Sequence, residues 1–215
     1  MRAEFETGRD RLRRLLDRPP VRAVAPAASR ASVAALLAPG EGGPDLWFIL
    51  RAARDGDPWS GQVALPGGRM DAADPDSLHT AVRETREELG VDLEGAEVLG
   101  ALDDLAPLTG LPNLVVHPWA FWVPEIGPLT PSPREVAEVF TVPLRDLVAG
   151  AGRTRFVLDW KGQSRELACV WVPTPAGPAR LWGMTLRIVD DLLHRIDGGG
   201  IGLERATLPG GSLAG

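Results

Sequence analysis

Two short stretches of sequence decide the fold of this chain, Pro66-Gly67-Gly68 and Arg83-Glu84-Thr85-Arg86-Glu87-Glu88-Leu89-Gly90-Val91. The apolar spacing that begins at Leu78 and Val82 predicts a helix. We expect this helix to end at Gly90, because glycine adopts the left-handed conformation that closes a helix. The second stretch is therefore predicted to be the last part of a helix, and a short loop separates it from the glycines of the first stretch.

Three carboxylates are crowded at the end of this predicted helix. Glu84, Glu87 and Glu88 are spaced i, i+3 and i+4, so they project from one face. Like charges at this spacing repel by roughly a few tenths of a kcal/mol, and the last turn of a helix is already partly negative. A solvated face, with Arg83 pairing with Glu87, is one explanation. The Pro-Gly-Gly at a fixed distance upstream and the Gly-Val directly after the glutamates favour the other explanation, a site for a hard divalent cation such as Mg²⁺.

With these residues the chain resembles the Nudix hydrolases. Their signature is a glycine, a loop that carries an acid, and a helix with R-E-U-x-E-E-x-G-U, where U is a bulky aliphatic residue. Thr85 departs from this pattern because it stands at an aliphatic position. Asp74 takes the acid position when counted forward from Gly68, since the loop is one residue longer. The matching residues are Gly68, Arg83-Glu84, Glu87-Glu88 and Gly90-Val91.

The longer loop is similar to that of the coenzyme A pyrophosphatase branch, P-G-G-x-x-D-x-x-D followed by T-A-x-R-E-x-x-E-E-x-G. Upstream, the strand Leu46–Arg51 and the stretch Gly61-Gln62-Val63 also fit that branch. Leu65 replaces an aromatic residue, and Pro58-Trp59-Ser60 stands where a histidine is common. These departures weaken the assignment to the branch, whereas the assignment to the family is unaffected.

The resemblance and the charges together predict the residues of a metal-dependent active site. We expect Mg²⁺, with Mn²⁺ as the alternative, to bind Glu84, Glu87, Glu88 and the carbonyl oxygen of Gly68. We expect Glu87 and Glu88 to be catalytic, and Arg83 to orient Glu87. The group that accepts a proton from water stays open. The Glu87-Glu88 pair is favoured, and Glu135 and Glu138 are later alternatives.

Positive charge and an open backbone near the signature predict the substrate contacts. The predicted ligands are the side chains of Arg51, Arg54 and Arg69, which flank the signature and can bind phosphates. Gly67 has no side chain, so the backbone can approach the reaction centre closely.

These features predict an enzyme. The leading expectation is Mg²⁺-dependent hydrolysis of coenzyme A or acyl-coenzyme A to 3′,5′-ADP and 4′-phosphopantetheine or its acyl form. The alternative is a pyrophosphatase for ADP-ribose, sugar nucleotides or nucleoside triphosphates. A third reading is a non-catalytic domain that senses a nucleotide. The intact set of glutamates argues against this third reading.

Composition narrows the partners and the compartment. The 215 residues are 44% hydrophobic, which is enough for a sizeable core. A net charge of −6 argues against nucleic acid as a partner. Cys169 is the only cysteine, so no disulfide framework is expected. No apolar run predicts a membrane span or a secretory signal, and we expect a cytoplasmic protein that acts on a small nucleotide.

The chain is expected to contain an N-terminal helical extension (residues 1–30), one Nudix domain (31–197) and a flexible glycine-rich tail (198–215). A helix over Glu4–Arg18 either packs on its own domain or forms a homodimer contact. Strands and helices alternate without repeats, which predicts one α/β/α sandwich around a mixed β-sheet, the fold that the resemblance also implies. The predicted strands are 31–37, 46–50, 91–102, 114–123, 135–142, 155–160 and 166–172, and later helices are 144–149 and 181–196.

Overall fold

The computed structural model describes residues 8–22, 29–56, 59–107, 113–160 and 162–197. The predicted tail at 198–215 lies outside these residues. So does the first part of the helix predicted over Glu4–Arg18.

A mixed sheet of seven strands forms the centre of the described part of the chain. The order is β3-β2-β1-β6-β5, with β4 beside β1 and β7 beside β2. β1 and β6 are parallel, and the other pairs are antiparallel. Leu36 and Leu37 are both fully buried, which shows that β1 is covered on its two faces. The strands are β1 (Ser29–Gly40), β2 (Gly43–Arg51), β3 (Val63–Ala64), β4 (Gly67–Arg69), β5 (Glu97–Ala101), β6 (Leu114–Trp122) and β7 (Val136–Pro143).

A second, antiparallel sheet follows in the chain. It consists of β8 (Arg153–Trp160), β9 (Gln163–Thr174) and β10 (Gly177–Trp182), in the order β10-β9-β8. Val170, Val172 and Leu181 are buried in the main core. One end of this sheet therefore packs on the domain, while residues 163–166 at the other end are exposed.

Helices cover both faces of the central sheet. α2 (Ser77–Leu89) lies on one face, where Ala81 and Leu89 pack with Ala34, Leu36 and Ile49. α1 (Gly8–Leu16), α3 (Leu144–Val148) and α4 (Gly183–Asp197) share the core on the other face with the second sheet. The predicted α/β/α sandwich around a mixed sheet is confirmed. Among the described residues, no helix combines the length and apolarity that a membrane span requires.

The N-terminal helix packs on its own domain. Leu12 and Leu16 of α1 are buried in the same core as Leu192 and Leu193 of α4. This is one of the two uses that the sequence left open for the helix. The division into 1–30, 31–197 and 198–215 stays a prediction, and β1 already begins at Ser29.

Some predicted boundaries are wrong. Leu181 and Trp182 belong to β10, and α4 begins only at Gly183, whose φ of 65° ends the strand. The strand predicted at 91–102 is limited to Glu97–Ala101, because Val91 and Leu93 fill the core beside α2. β3 and β4 have no counterpart in the prediction, since two or three residues show no periodicity.

Gly67 and Gly43 offer a matched test of the contact between β4 and β1. Their φ values of 149° and 138° both favour glycine. A Cβ at Gly67 would lie 2.6 Å from Val33 Cα and would collide with the Ser32 carbonyl oxygen, whereas one at Gly43 meets no atom within 4 Å. We expect Gly43→Ala to lower the free energy of unfolding by about 1 kcal/mol and Gly67→Ala by about 3 kcal/mol. Urea denaturation measures both, and equal losses would contradict a role for the contact.

Candidate functional site

Gly67 and Gly68 bring β4 into close contact with the central sheet and with helix α2. In β4, Gly67 pairs with Val33 and Gly68 pairs with Ser32. A Cβ at Gly68 would lie 2.5 Å from both carboxylate oxygens of Glu84. Glycine is therefore needed at 67 because of the neighbouring strand, and a side chain at 68 would force the Glu84 carboxylate to move.

Helix α2 has a defined beginning and end. The Asp76 carboxylate accepts a hydrogen bond from the backbone N–H of His79 (2.9 Å), as an N-cap does. Gly90 closes the helix with a φ of 71°, which confirms the predicted C-terminus. Thr85 is fully buried, and its hydroxyl donates to the carbonyl oxygen of Ala81 (2.8 Å). A threonine therefore fits where the signature has an aliphatic residue, because its polar group is satisfied within the helix.

Arg83 joins the signature loop to the carboxylates of α2. Its Nε and Nη2 donate to the two carboxylate oxygens of Asp74 at 2.9 and 2.8 Å. Its Nη1 donates to Glu84 (2.9 Å) and to Glu87 (3.2 Å). Nη2 also donates to the carbonyl oxygen of Arg69 (3.0 Å). The predicted contact with Glu87 is present, and it is one of several that fix the direction of two carboxylates.

Asp74 anchors this arginine from the loop side. Its side chain is nearly buried and also accepts hydrogen bonds from the Thr80 hydroxyl and the Asp71 backbone N–H, both at 2.9 Å. Hydrogen bonds from Arg83 hold the pKa of Asp74 far below its usual range. Asp74 therefore keeps its charge, and it supports Arg83 in the position that the signature assigns to an acid.

Glu88 is a buried carboxylate, with only 4% of its surface exposed. The backbone N–H of Gly67 donates to its Oε2 at 2.8 Å. Burial raises the pKa of Glu88 to about 7, and the negative charges of Glu84 and Glu135 act in the same direction. The Gly67 hydrogen bond and the positive charge of Arg51 act against this rise. Ionised Glu88 is therefore unfavourable unless more positive charge is brought close.

Glu135 is a fourth carboxylate near this group. Burial raises the pKa of Glu84, hydrogen bonding from Arg83 opposes the rise, and the charges of Glu87 and Glu135 add to it. Glu138 instead accepts a weak hydrogen bond (3.4 Å) from a backbone N–H in the turn between β9 and β10. Of the two later alternatives, Glu135 thus interacts electrostatically with the signature glutamates. We call Glu84, Glu87, Glu88 and Glu135 the acidic cluster.

The predicted arginine ligands lie in different surroundings. Arg51 ends β2, and its charge acts on Glu88. Arg54 donates through Nε to the backbone carbonyl next to Glu135 (2.8 Å), and its Nη2 lies 3.9 Å from the Glu135 carboxylate. Arg69 has an exposed side chain at the end of β4. Arg51 and Arg54 therefore lie beside the acidic cluster, and the substrate contacts of all three stay predictions.

The acidic cluster has the donor chemistry of a divalent-cation site. Carboxylate oxygens are the ligands that Mg²⁺ and Mn²⁺ prefer, and a cation would offset the cost of ionising buried Glu88. In the described parts of the chain, no three His, Cys, Asp or Glu side chains are already arranged so that they could bind one metal ion together. Glu84 and Glu87 accept hydrogen bonds from Arg83. The residues fit a cation in chemistry, and at least one glutamate would have to rotate to bind it.

Two residues of the site are named in the sequence analysis without a contact to the signature helix. Asp74 takes the acid position of the signature, and Glu135 is one of two later alternatives for the proton acceptor. Glu135 is distant in sequence from α2. The pairing of Arg51 with Val136 and the hydrogen bond from Ala52 N–H to the Glu135 carbonyl oxygen (2.9 Å) bring it to the end of β2. Only the tertiary structure shows that Glu135 lies near the glutamates of α2.

Comparison with known proteins gives consistent likenesses. A family model described as the NUDIX domain matches residues 28–160. The chain is 37% identical over 194 residues to the Homo sapiens protein named mitochondrial coenzyme A diphosphatase NUDT8, across 87% of this chain and 77% of that protein. The Mus musculus protein of that name is 34% identical, across 75% of this chain and 77% of the mouse protein. The solved Nudix hydrolase RenU from M. smegmatis is 24% identical, with a TM-score of 0.46, across 55% of this chain and 73% of RenU.

Asp74→Asn is expected to destabilise the protein by about 2 kcal/mol at pH 7, because it weakens the nearly buried pair with Arg83. The pKa of Asp74 is lower in the folded than in the unfolded state. Its contribution is therefore present above the unfolded pKa of about 4, and it is lost as the pH falls towards the depressed folded value.

Urea denaturation of wild type and Asp74→Asn at pH 7 and pH 3 measures this effect. The matched control is Asp71→Asn in the same loop, because the Asp71 side chain accepts its hydrogen bond from a neighbouring backbone N–H, and the substitution leaves the backbone N–H that Asp71 donates to Asp74 in place. We expect the control to change stability by less than about 1 kcal/mol. A difference between wild type and Asp74→Asn that is the same at both pH values would contradict the ion-pair account.

Glu88→Gln is expected to stabilise the metal-free protein at alkaline pH. The folded pKa of Glu88 is raised, so its favourable contribution is present below the unfolded value of about 4.5 and is lost as the pH rises through about 7. At pH 8 with a chelator, the glutamine variant should be more stable than wild type by about 2 kcal/mol. At pH 4 the two should be nearly equal.

Thermal unfolding across this pH range measures the difference. Glu87→Gln is the control, since it removes an exposed carboxylate from the same turn. If Glu88→Gln is less stable than wild type at pH 8, burial does not raise the pKa of Glu88.

Proposed function

Because the chain belongs to the NUDIX domain family and is a pyrophosphohydrolase, we propose that it hydrolyses the diphosphate of coenzyme A or an acyl-coenzyme A with Mg²⁺ or Mn²⁺. The products would be 3′,5′-ADP and 4′-phosphopantetheine or its acyl derivative. The two relatives that are named coenzyme A diphosphatases support this substrate. The loop pattern from Arg51 to Asp74 supports it as well.

The burial of Glu84 and Glu88 against the glycine backbone of β4 is the observation that carries the proposal. Two carboxylates in a poorly solvated place at the negative end of a helix require a compensating positive charge. We assign the metal to Glu84, Glu87, Glu88 and the carbonyl oxygen of Gly68. A bound divalent ion would neutralise diphosphate oxygens and make water more acidic.

Residues of the chain would orient the metal-binding carboxylates and accept a proton from the attacking water. Asp74 holds Arg83, and Arg83 keeps Glu84 and Glu87 directed towards the same side of α2. Without a cation, burial raises the pKa of Glu88 to about 7, and a bound divalent cation would lower this pKa and favour the ionised carboxylate. We propose the Glu87-Glu88 pair as the proton acceptor.

The arginines would supply charge for the substrate. The protein is acidic, with a net charge of −6, so a multiply charged anion needs local positive groups. Arg51 acts electrostatically on Glu88 and is proposed to contact the diphosphate. Arg54 and Arg69 are proposed to bind other phosphate groups, and the backbone of Gly67 is proposed to lie close to the bound substrate.

The other partners and the compartment stay predictions from the sequence. Those predictions are a small nucleotide substrate, no nucleic-acid or membrane partner, and a cytoplasmic location. The human and mouse relatives are named mitochondrial proteins.

A substrate panel tests the proposal. With Mg²⁺ or Mn²⁺, we expect kcat/KM for coenzyme A or an acyl form to exceed that for ADP-ribose and nucleoside triphosphates at least about tenfold, which is a difference of about 1.4 kcal/mol in transition-state binding. Mass spectrometry should detect 3′,5′-ADP. Glu87→Gln and Glu88→Gln should each lower kcat by a factor of about 100 or more, since each removes a metal ligand or a base.

Glu94→Gln, on the exposed loop after α2, is the control and should keep wild-type activity. A higher kcat/KM for ADP-ribose or a nucleoside triphosphate would contradict the proposed substrate but not the proposed metal site. Nucleotide binding without turnover in either metal would favour the sensing role. Full activity of both glutamine variants would contradict the proposed catalytic roles.

A further inference from the structure

Strand β8 is a free edge of the second sheet in the part of the chain that the structure describes. The order β10-β9-β8 gives this strand one neighbour, β9. Val157, in the middle of β8, is 64% exposed, which is unusual for a large aliphatic residue. Long edges with exposed apolar residues tend to pair with another strand.

The hydrogen-bond pattern of the sheet determines which backbone groups of β8 point outwards. Trp171 N–H donates to the Gly152 carbonyl oxygen at 2.9 Å, just before the paired residues Arg153 and Val170. In an antiparallel ladder, hydrogen-bonded pairs alternate with non-bonded pairs. Every second residue from Gly152 therefore bonds to β9. The N–H and C=O groups of the intervening residues, Arg155, Val157 and Asp159, point away from β9.

We propose that two copies of this chain associate through antiparallel pairing of their β8 strands, with the two-fold axis at Val157. In this register Val157 lies opposite Val157 of the second copy. Arg155 lies opposite Asp159 of the second copy, and symmetry repeats this pair. The outward backbone groups of the three residues then face one another, as a hydrogen-bonded ladder requires. The second sheets of the two copies become one continuous sheet.

Charge complementarity favours this register and this partner. Charged residues on an edge usually prevent pairing, but β8 carries both signs, and self-pairing at Val157 places opposite charges across from one another. Within one chain Arg155 Nε lies 3.0 Å from the exposed Glu166 carboxylate, and Asp159 accepts a hydrogen bond from Ser164. In the dimer each of these two side chains would therefore contact the second copy as well as its own neighbour. An axis at Arg155 would place that arginine against itself. An axis at Phe156 would place Arg155 opposite the uncharged Val157, so this arginine would lose its charged partner on the second copy.

Side-chain contacts with β9 and β10 restrict the motion of β8. Phe156 lies 4.5 Å from the guanidinium carbon of Arg180, which also lies over the ring of Trp171 at 5.7 Å. Phe156 further packs edge-on against Trp182, with ring centroids 5.3 Å apart. These contacts across β8, β9 and β10 stiffen the sheet, so less conformational entropy is lost when a second strand binds.

This interface differs from the homodimer contact that the sequence analysis allowed. That contact used the N-terminal helix, and α1 is packed on its own domain. The β8 edge belongs to the second sheet and contains no residue of the acidic cluster. A result on the oligomeric state therefore neither supports nor contradicts the proposed hydrolysis.

Light scattering coupled to size exclusion tests the proposal on the full chain. Wild type is expected at twice the 23.0 kDa of one chain. Arg155→Asp and Asp159→Arg alone should each raise the dimer dissociation constant at least about tenfold, because each places like charges opposite one another. The double variant exchanges the charges between the copies and should recover most of the lost affinity, although the pair of Arg155 with Glu166 within the chain is not restored. Val157→Pro should also dissociate the dimer, because it removes an N–H that the ladder pattern directs away from β9.

Val98→Lys is the matched control, since Val98 is an exposed valine on β5, an edge strand of the other sheet. It should leave the dimer unchanged, and circular dichroism should show that all variants are folded. A wild-type monomer would overturn the proposal. So would a dimer that survives Val157→Pro, or single charge variants that the double exchange does not rescue.

Discussion

The hydrogen bonds of Arg83 are the interaction on which the site depends. The last turns of α2 carry three glutamates where the helix itself is already negative, and Arg83 is the cation that contacts two of them. Asp74 binds the same guanidinium through two oxygens. This bidentate contact fixes the plane of the guanidinium, which a single hydrogen bond would leave free. The loop and the helix are therefore positioned together.

The backbone of two glycines in β4 also positions the glutamates of α2. Gly67 lies against β1 and donates its N–H to Glu88, and Gly68 leaves space for the carboxylate of Glu84. The same close approach that joins β4 to the sheet also removes water from Glu88. Packing and electrostatics are thus coupled, because a tighter contact between β4 and β1 makes the carboxylate more costly to ionise. A cation would relieve that cost.

The two sheets of the chain contribute in different ways. The central sheet positions the signature loop, α2 and Glu135, and the family model covers its strands. β9 and β10 lie beyond the matched residues and pack into the core through Val170, Val172 and Leu181. The exposed end of the second sheet adds nothing to that core. A free strand edge at this place is better suited to association with another chain than to catalysis.

The sequence alone determined the local parts of this protein. The apolar period of α2, its glycine end and the spacing of its glutamates are short-range features, so the helix and its acidic face could be predicted. The length of the signature loop likewise identified Asp74 as the acid. Only the tertiary structure decided that Glu135 joins the acidic cluster, that Glu88 is buried, and that Leu181 continues a strand. These outcomes depend on strand pairing between distant residues, whose register is set by the packed core.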